Sequence, residues 1–240
     1  MSRGNVRRYF MIGIIGAMDE EINQLAEKMT DVEASEIAGM VFNKGKLNGK
    51  DVVVVRSGIG KVNAAICTQI LAVIFHVDAV INTGIAGSLR NEINIGDVVL
   101  STDTLQHDMD ATGFGYKPGV IPRMKTSVFE ADEGLRRLAH EACRRAVPDI
   151  GVHDGRVVSG DQFISDKAVK ARLIELFDGY CTEMEGAAIA QTAYLNGIPF
   201  LIIRAISDKA DNSATMDYSE FERRAIDNSV ALMCDMIAHI

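Results

Sequence analysis

The sequence has little of what would make a disulfide framework or a zinc site. Its four cysteines, Cys67, Cys143, Cys181 and Cys234, lie far apart and form no CxxC pair, so reduced thiols in the cytoplasm are the expectation. No apolar run approaches the length of a transmembrane helix, so no membrane partner is expected. Lysine and arginine never gather into a block, and the formal net charge is -8. Neutralising phosphates requires clustered cations, so nucleic acid is excluded as a partner and an anionic membrane surface is disfavoured. Internal repeats, low-complexity tracts and linkers are absent.

What is present is enough for one core. At 240 residues and 48% hydrophobic content, a single α/β domain is the expectation. Arg3, Arg7 and Arg8 ahead of the apolar run from Met11 to Met18 give the N-terminus a superficial likeness to a signal peptide. The run is short, however, and passes directly into Asp19, Glu20 and Glu21 without a small-residue cleavage site. Residues 1–10 are therefore expected to be a disordered extension, with one domain over 11–240.

Strand and helix patterns alternate. Met11 to Ala17 is a short apolar β-type run, and Asp19 to Met29 reads as a helix with acids in its first turn. Residues 35–57 hold two β-rich runs around the turn Leu47-Asn48-Gly49-Lys50. A helix from about Lys61 carries Val62, Ile66, Ile70 and Val73 on one face, which predicts a face packed inward. Asp78 to Asn82, Asp97 to Ser101, Gly155 to Ser159, Tyr180 to Glu183 and Pro199 to Ile206 read as strands. Helices are expected over Asp132 to Ala146 and Asp166 to Phe177, from Gly186, and from Tyr218 to Ile240. The segment from His107 to Met124 reads as a long loop, which in a compact domain is usually functional or mobile. This alternation predicts an α/β three-layer sandwich with a central mixed, twisted β-sheet flanked by helices.

In such folds ligands collect at the carboxyl ends of strands, and several strands here end in polar or glycine-rich clusters. These are Met18-Asp19-Glu20-Glu21, Ser57-Gly58-Ile59-Gly60, Thr83-Gly84-Ile85-Ala86-Gly87, Glu183-Met184-Glu185 and Ser207-Asp208. If they converge, the pocket holds three or more carboxylates between methionine and isoleucine walls, which suits a weakly polar ligand and not a triphosphate. Each cluster also has a plain explanation. Acids at a helix start stabilise its dipole, Ser-Asp after a strand is a common cap, and glycines make turns. Gly58-Ile59-Gly60 lacks the third glycine of a dinucleotide fingerprint. His107-Asp108-Met109-Asp110 has no second set of ligands, so no metal is expected. No G-x-S-x-G elbow supports a serine nucleophile. Glu183 and Glu185 share one strand parity, so spacing does not choose between them, nor among Asp19, Glu20 and Glu21.

Taken together, these stretches resemble the methylthioadenosine/S-adenosylhomocysteine nucleosidase family, a branch of the nucleoside phosphorylase superfamily. The resemblance is carried by IGIIGAMDEE (12–21), SGIGKV (57–62), INTGIAG (81–87), HDMDATGFGY (107–116), VSGDQFI (158–164), EMEGAAI (183–189) and RAISD (204–208). These seven matches run in family order from Met11 to the C-terminal helix. The resemblance implies a nucleoside phosphorylase-like fold without a cofactor, and hydrolysis of the N-glycosidic bond of 5′-methylthioadenosine and S-adenosylhomocysteine, with 5′-deoxyadenosine as a further substrate. It implies Asp208 as the acid that protonates adenine N7, Glu21 as the carboxylate that activates water, and Glu185 as the grip on the ribose hydroxyls. An acid and a base on opposite sides of one bond follow the logic of inverting glycosidases. Phe163 and Ile164 match the adenine-stacking segment. Met18, Ile59, Met184 and Tyr218 match the sugar and 5′-thio side, and Ile85, Gly87, Arg204 and Ser207 fall in the remaining site motifs. Phe114 matches an aromatic borrowed from a partner subunit, which implies a homodimer. A serine is common in the family where this chain has Ile85, a departure that bears on how Asp208 is held or on purine preference.

Three other activities stand beside this one. A phosphorylase of the same superfamily needs arginines for phosphate, and where related phosphorylases carry one before the glycine turn this chain has Asn82. A non-catalytic nucleoside-binding module is opposed by the presence of both Glu21 and Asp208. A hydrolase for a related adenine nucleoside such as aminodeoxyfutalosine would use the same carboxylates.

Overall fold

The computed structural model describes residues 11–211 and 214–240, with side chains throughout except at 214–220 and 222. The N-terminal extension expected over 1–10 and the side chain of Tyr218 therefore lie outside the described residues.

Four strands run parallel at the centre. β1 (Met11–Gly16) lies between β4 (Lys50–Arg56) and β5 (Ala79–Ser88), and β5 pairs on its other side with β10 (Phe200–Asp208). Val52, Val53, Val54 and Val55 are all fully buried, as expected of a strand covered on both faces. β2 (Thr30–Ile37), β3 (Met40–Leu47) and β4 form an antiparallel meander that extends one edge. The β3–β4 turn places Asn48 at φ 50 and Gly49 at φ 77, matching the local twist of paired strands.

On the other side the sheet curls. β10 pairs antiparallel with β6 (Val98–Gln106), and β6 pairs parallel with β8 (Val152–Ser159) and antiparallel with the two-residue β7 (Phe129–Glu130). β8 pairs with β9 (Cys181–Glu183), and β9 returns antiparallel to the end of β5. Strands β5, β10, β6, β8 and β9 thus close a ring, with a mouth at the ends of β5, β9 and β10.

Helices cover both faces. α1 (Asp19–Ala26), α3 (Glu133–Ala146) and α6 (Ala214–Ala238) bury Leu25, Leu135 and Leu232 against one face. α2 (Lys61–Val73) and α5 (Gly186–Asn196) bury Leu71 and Ile189 against the other. α4 (Lys167–Phe177) sits over a smaller cluster with Leu89, Val158 and Ile164. α3 and α4 begin where the aspartates predicted. Asp132 accepts the Leu135 N–H at 2.9 Å, and Asp166 accepts the N–H groups of Ala168 and Val169.

Three expectations need correction. β5 and β10 continue through the polar clusters that the sequence placed after them: Thr83 to Ser88 and Asp208 are themselves paired strand residues, with Ser207 at a bulge between Ile206 and Asp208. The polar edge strand β2 escaped notice because its residues are almost all exposed and carry no apolar alternation. Finally, α2 packs through Ala64, Cys67, Thr68 and Leu71, so Val62, Ile66 and Val73 face outward.

Candidate active site

The mouth of the closed strands holds a cavity of about 440 Å³, within the usual range for a small-molecule site. Its wall comes from the carboxyl ends of β1, β5, β9 and β10 together with the segments after β4 and β8. Glu21, Glu183, Glu185 and Asp208 all contribute, and most of the remaining surface is apolar, from Met18, Ile59, Ile85, Phe163 and Met184.

Glu21 is the buried member of its acid trio, since Asp19 and Glu20 are exposed. It occupies the third position of α1, and its carboxylate folds back over the helix start. Oε2 accepts the N–H groups of Ala17 at 2.6 Å and Met18 at 3.1 Å, while Oε1 accepts that of Ile85 at 3.3 Å. The acid at the helix start is therefore also a residue of the cavity wall. Burial raises its pKa above the ordinary carboxylate value, against the opposing charge of Arg204 and those three backbone donors.

The structure also separates Glu183 from Glu185. β9 ends at Glu183, so the shared strand parity read from the sequence does not apply. Glu183 is fully engaged: Ser159 Oγ and Arg204 Nη2 donate to it, as do the N–H groups of Glu185 at 3.1 Å and Gly186 at 2.7 Å. Glu185 accepts the Gly60 N–H through Oε1 at 2.8 Å and lines the cavity. Burial, reinforced by the Glu183 charge, pushes its pKa up to about 7, with Gly60 and Arg204 opposing.

Asp208 is 2% exposed at the end of β10. Its Oδ2 accepts the Ser207 hydroxyl at 2.8 Å, and its Oδ1 accepts the Ala210 N–H at 2.7 Å. Ser207 thus gives the acid a hydroxyl partner in a chain that has Ile85 on the neighbouring strand. Gly87 leaves room for this arrangement, because a β-carbon there would stand 2.7 Å from Asp208 Oδ1.

Met18, Ile59, Ile85, Gly87, Phe163, Met184, Glu185 and Ser207 line the cavity, and Ile164 lines an adjoining recess with Phe163, Thr182 and Asp208. Contrary to the expectation from its motif, Arg204 does not line the cavity: it is 1% exposed, and its guanidinium holds Glu183, Asn82 and the Ile203 carbonyl. Asn82 lies at the same buried contact, with its amide donating to the Ile15 carbonyl at 2.9 Å. Phe114 stands in a short 3-10 turn, Thr112–Phe114, 87% exposed and away from this chain's own cavity. Sequence reasoning did not single out Thr182, whose only signal was its place one residue before the acid cluster. In the His107 segment, Asp108 takes the Lys61 ammonium at 2.6 Å and the Asp161 N–H at 3.0 Å. Among the described residues no three His, Cys, Asp or Glu are arranged to hold a metal ion, and no helix is long and apolar enough to cross a membrane.

A twisted mixed sheet with a carboxylate-lined cavity at its strand ends defines the class, and the family model for the phosphorylase superfamily matches residues 11–238. The chain is 44% identical to the 5′-methylthioadenosine/S-adenosylhomocysteine nucleosidase of an Exiguobacterium species, covering 92% of this chain and 95% of that one. It is also 44% identical to the nucleosidase of Staphylococcus carnosus, over 95% of this chain and 99% of the relative. The crystal structure of the Neisseria meningitidis nucleosidase with methylthio-immucillin-A superposes with a TM-score of 0.92 at 39% identity, covering 96% of this chain and 100% of that chain. The chain belongs to the methylthioadenosine/S-adenosylhomocysteine nucleosidase family of that superfamily.

Proposed function

We propose that this chain hydrolyses the N-glycosidic bond of 5′-methylthioadenosine and S-adenosylhomocysteine, releasing adenine and the corresponding thioribose. The observation that carries the reading is the placing of Glu21 and Asp208, both buried, on the wall of one mostly apolar cavity. The names of the relatives support the same substrates.

In this mechanism adenine lies toward Phe163, Ile164 and Asp208. Asp208 delivers its proton to N7 as the bond from the sugar carbon to the purine breaks, and the bonding pair leaves with adenine. Glu185 accepts from the ribose hydroxyls, and Met184 and Met18 pack on the sugar and 5′-thio group. Glu21 takes a proton from water as the water oxygen bonds to the sugar carbon on the opposite face. Its raised pKa makes it a stronger base than an exposed carboxylate, which suits that step. The low polarity of the wall strengthens each charge interaction once substrate displaces water.

Water is favoured over phosphate as the nucleophile by charge. The described residues of the cavity wall include four carboxylates and no lysine or arginine, and Arg204 is tied to Glu183 and Asn82. A phosphate dianion would meet repulsion there without a bidentate partner.

We further propose a homodimer working in the cytoplasm. All four cysteines are free, which suits a reducing compartment. Val62, Ile66, Val73 and Ile74 on the α2 side, with Tyr194 and Leu195 of α5, are exposed apolar residues of the kind an interface covers. Phe114, exposed on its own chain, would then complete the partner's cavity.

The test is adenine release from methylthioadenosine in phosphate-free buffer, repeated with phosphate. Release without phosphate, together with free methylthioribose, is the expected result. A strict requirement for phosphate would make the enzyme a phosphorylase.

A further inference from the structure

Helix α4 turns one stripe inward, made of Lys170, Leu173 and Phe177. The two apolar members join a cluster that includes Ala210 and Ile164, and Ile164 also lines the recess shared with Asp208. A lysine in the same stripe requires an explanation, because an ammonium is expensive to bury unless it is well bonded. Lys170 is 7% exposed, and its Nζ donates to the main-chain carbonyl of Lys209 at 2.6 Å.

Lys209 is the residue after Asp208, and the rest of that turn is equally constrained. The Lys209 ammonium reaches away to the carbonyls of Ile93 and Asn91. Ala210 is fully buried at φ 48, a region that alanine rarely adopts, and its N–H holds Asp208 Oδ1. A β-carbon on Gly87 would stand 2.8 Å from the Ala210 side chain, so the turn is pressed against β5 as well. The peptide that carries the acid out of β10 is therefore fixed from two sides by lysines on main-chain oxygens.

We propose that Lys170 is a positioning residue for Asp208: from α4 it pins the Lys209 carbonyl, and so fixes both the direction of the acid and the charge beside it. This rests on the reading of Asp208 as the proton donor. The charged groups around Lys170 are Asp211 and Asp208, which favour its ammonium, and Lys209 and Lys167, which oppose it; burial outweighs them and holds its pKa below the ordinary lysine value. A residue that only stabilised the fold would lower thermal stability and leave kcat and the pH profile unmoved.

The experiment compares wild type, Lys170→Met and Lys170→Arg, measuring kcat, KM and the pH profile of adenine release from methylthioadenosine. Lys170→Met is expected to lower kcat about 10-fold with KM changed less than about threefold. It should also move the alkaline limb of kcat/KM upward, because a carboxyl that loses a neighbouring cation keeps its proton to higher pH. Lys170→Arg, which keeps the charge and a donor, should recover most of kcat. Wild-type kcat and unmoved limbs in Lys170→Met overturn the proposal, whatever its melting temperature. If Lys170→Met does not fold, Lys170→Gln keeps a donor without the charge, and an unmoved alkaline limb there overturns it equally. Failure of wild type to release adenine would instead defeat the reading of the site itself.

Discussion

Gly84 and Glu21 share one small space: a β-carbon on Gly84 would stand 2.8 Å from Glu21 Oε1 and 3.3 Å from Arg204 Nη1. The glycine is thus required by the carboxylate and not by a turn, since its residue lies inside β5. Gly84→Ala must push the Glu21 carboxylate off the backbone donors of Ala17, Met18 and Ile85. In the proposed mechanism a displaced Glu21 loses alignment with the attacking water, so kcat should fall by about 10²-fold while adenine still binds. An alanine variant with wild-type turnover would mean that Glu21 does not need this position.

The two acids should fail differently. Asp208→Asn keeps the shape of the site but has no proton to give, and Glu21→Gln keeps shape but cannot accept one. Each should lower kcat by about 10²–10⁴-fold. In Asp208→Asn, equilibrium binding of methylthioadenosine should persist. Near-normal rates in either variant would remove that residue from its assigned role.

Local chemistry made much of this structure legible in the sequence. The Asn48-Gly49 turn, the aspartate caps of α3 and α4 and the start of α2 at Lys61 all depend on neighbours a few residues away. What escaped depends on the whole fold. Thr83 to Ser88 looked like a loop after a strand because its polarity serves the cavity, yet it pairs with β10 and β9. The choice of Glu21 over Asp19 and Glu20 needed the curl of α1's first turn, which buries one acid and exposes two. Arg204 was expected in the site only because it falls in the RAISD stretch that carries the family resemblance. Only the packing shows it aimed at Glu183 and Asn82.

Glu185 should make stability depend on pH. Its carboxyl is pushed up to about 7 in the folded chain from an ordinary value of 4.5. Between those values the folded state binds more protons than the unfolded one, so stability falls as pH rises through this window. Glu185→Gln keeps an acceptor for the Gly60 N–H and has no proton to lose. Relative to wild type, the variant should gain stability between pH 4.5 and pH 8, by on the order of 2–3 kcal/mol. Denaturant unfolding at fixed protein concentration across that range measures the difference. A constant gap between the two proteins would show that Glu185 does not carry the shift.

The outward face of α2 and the exposed Phe114 make one joint prediction. Val62 is 71% exposed and Ile66 42% exposed, both away from the Ala64, Cys67 and Leu71 side through which α2 packs. If a second copy covers this face, Val62→Glu buries a charge at the interface and should yield a monomer by light scattering. That monomer keeps Glu21, Glu185 and Asp208 but loses the partner's aromatic. Phe114→Ala loses the same aromatic while leaving the α2 face intact. It should therefore remain dimeric and raise KM about 10-fold, or about 1.4 kcal/mol of binding. The monomer's KM should rise at least as far, and adding Phe114→Ala to Val62→Glu should then cost little more. Additive losses in the double variant would mean that Phe114 acts within its own chain, and a fully active Val62→Glu monomer would mean that each cavity is complete alone.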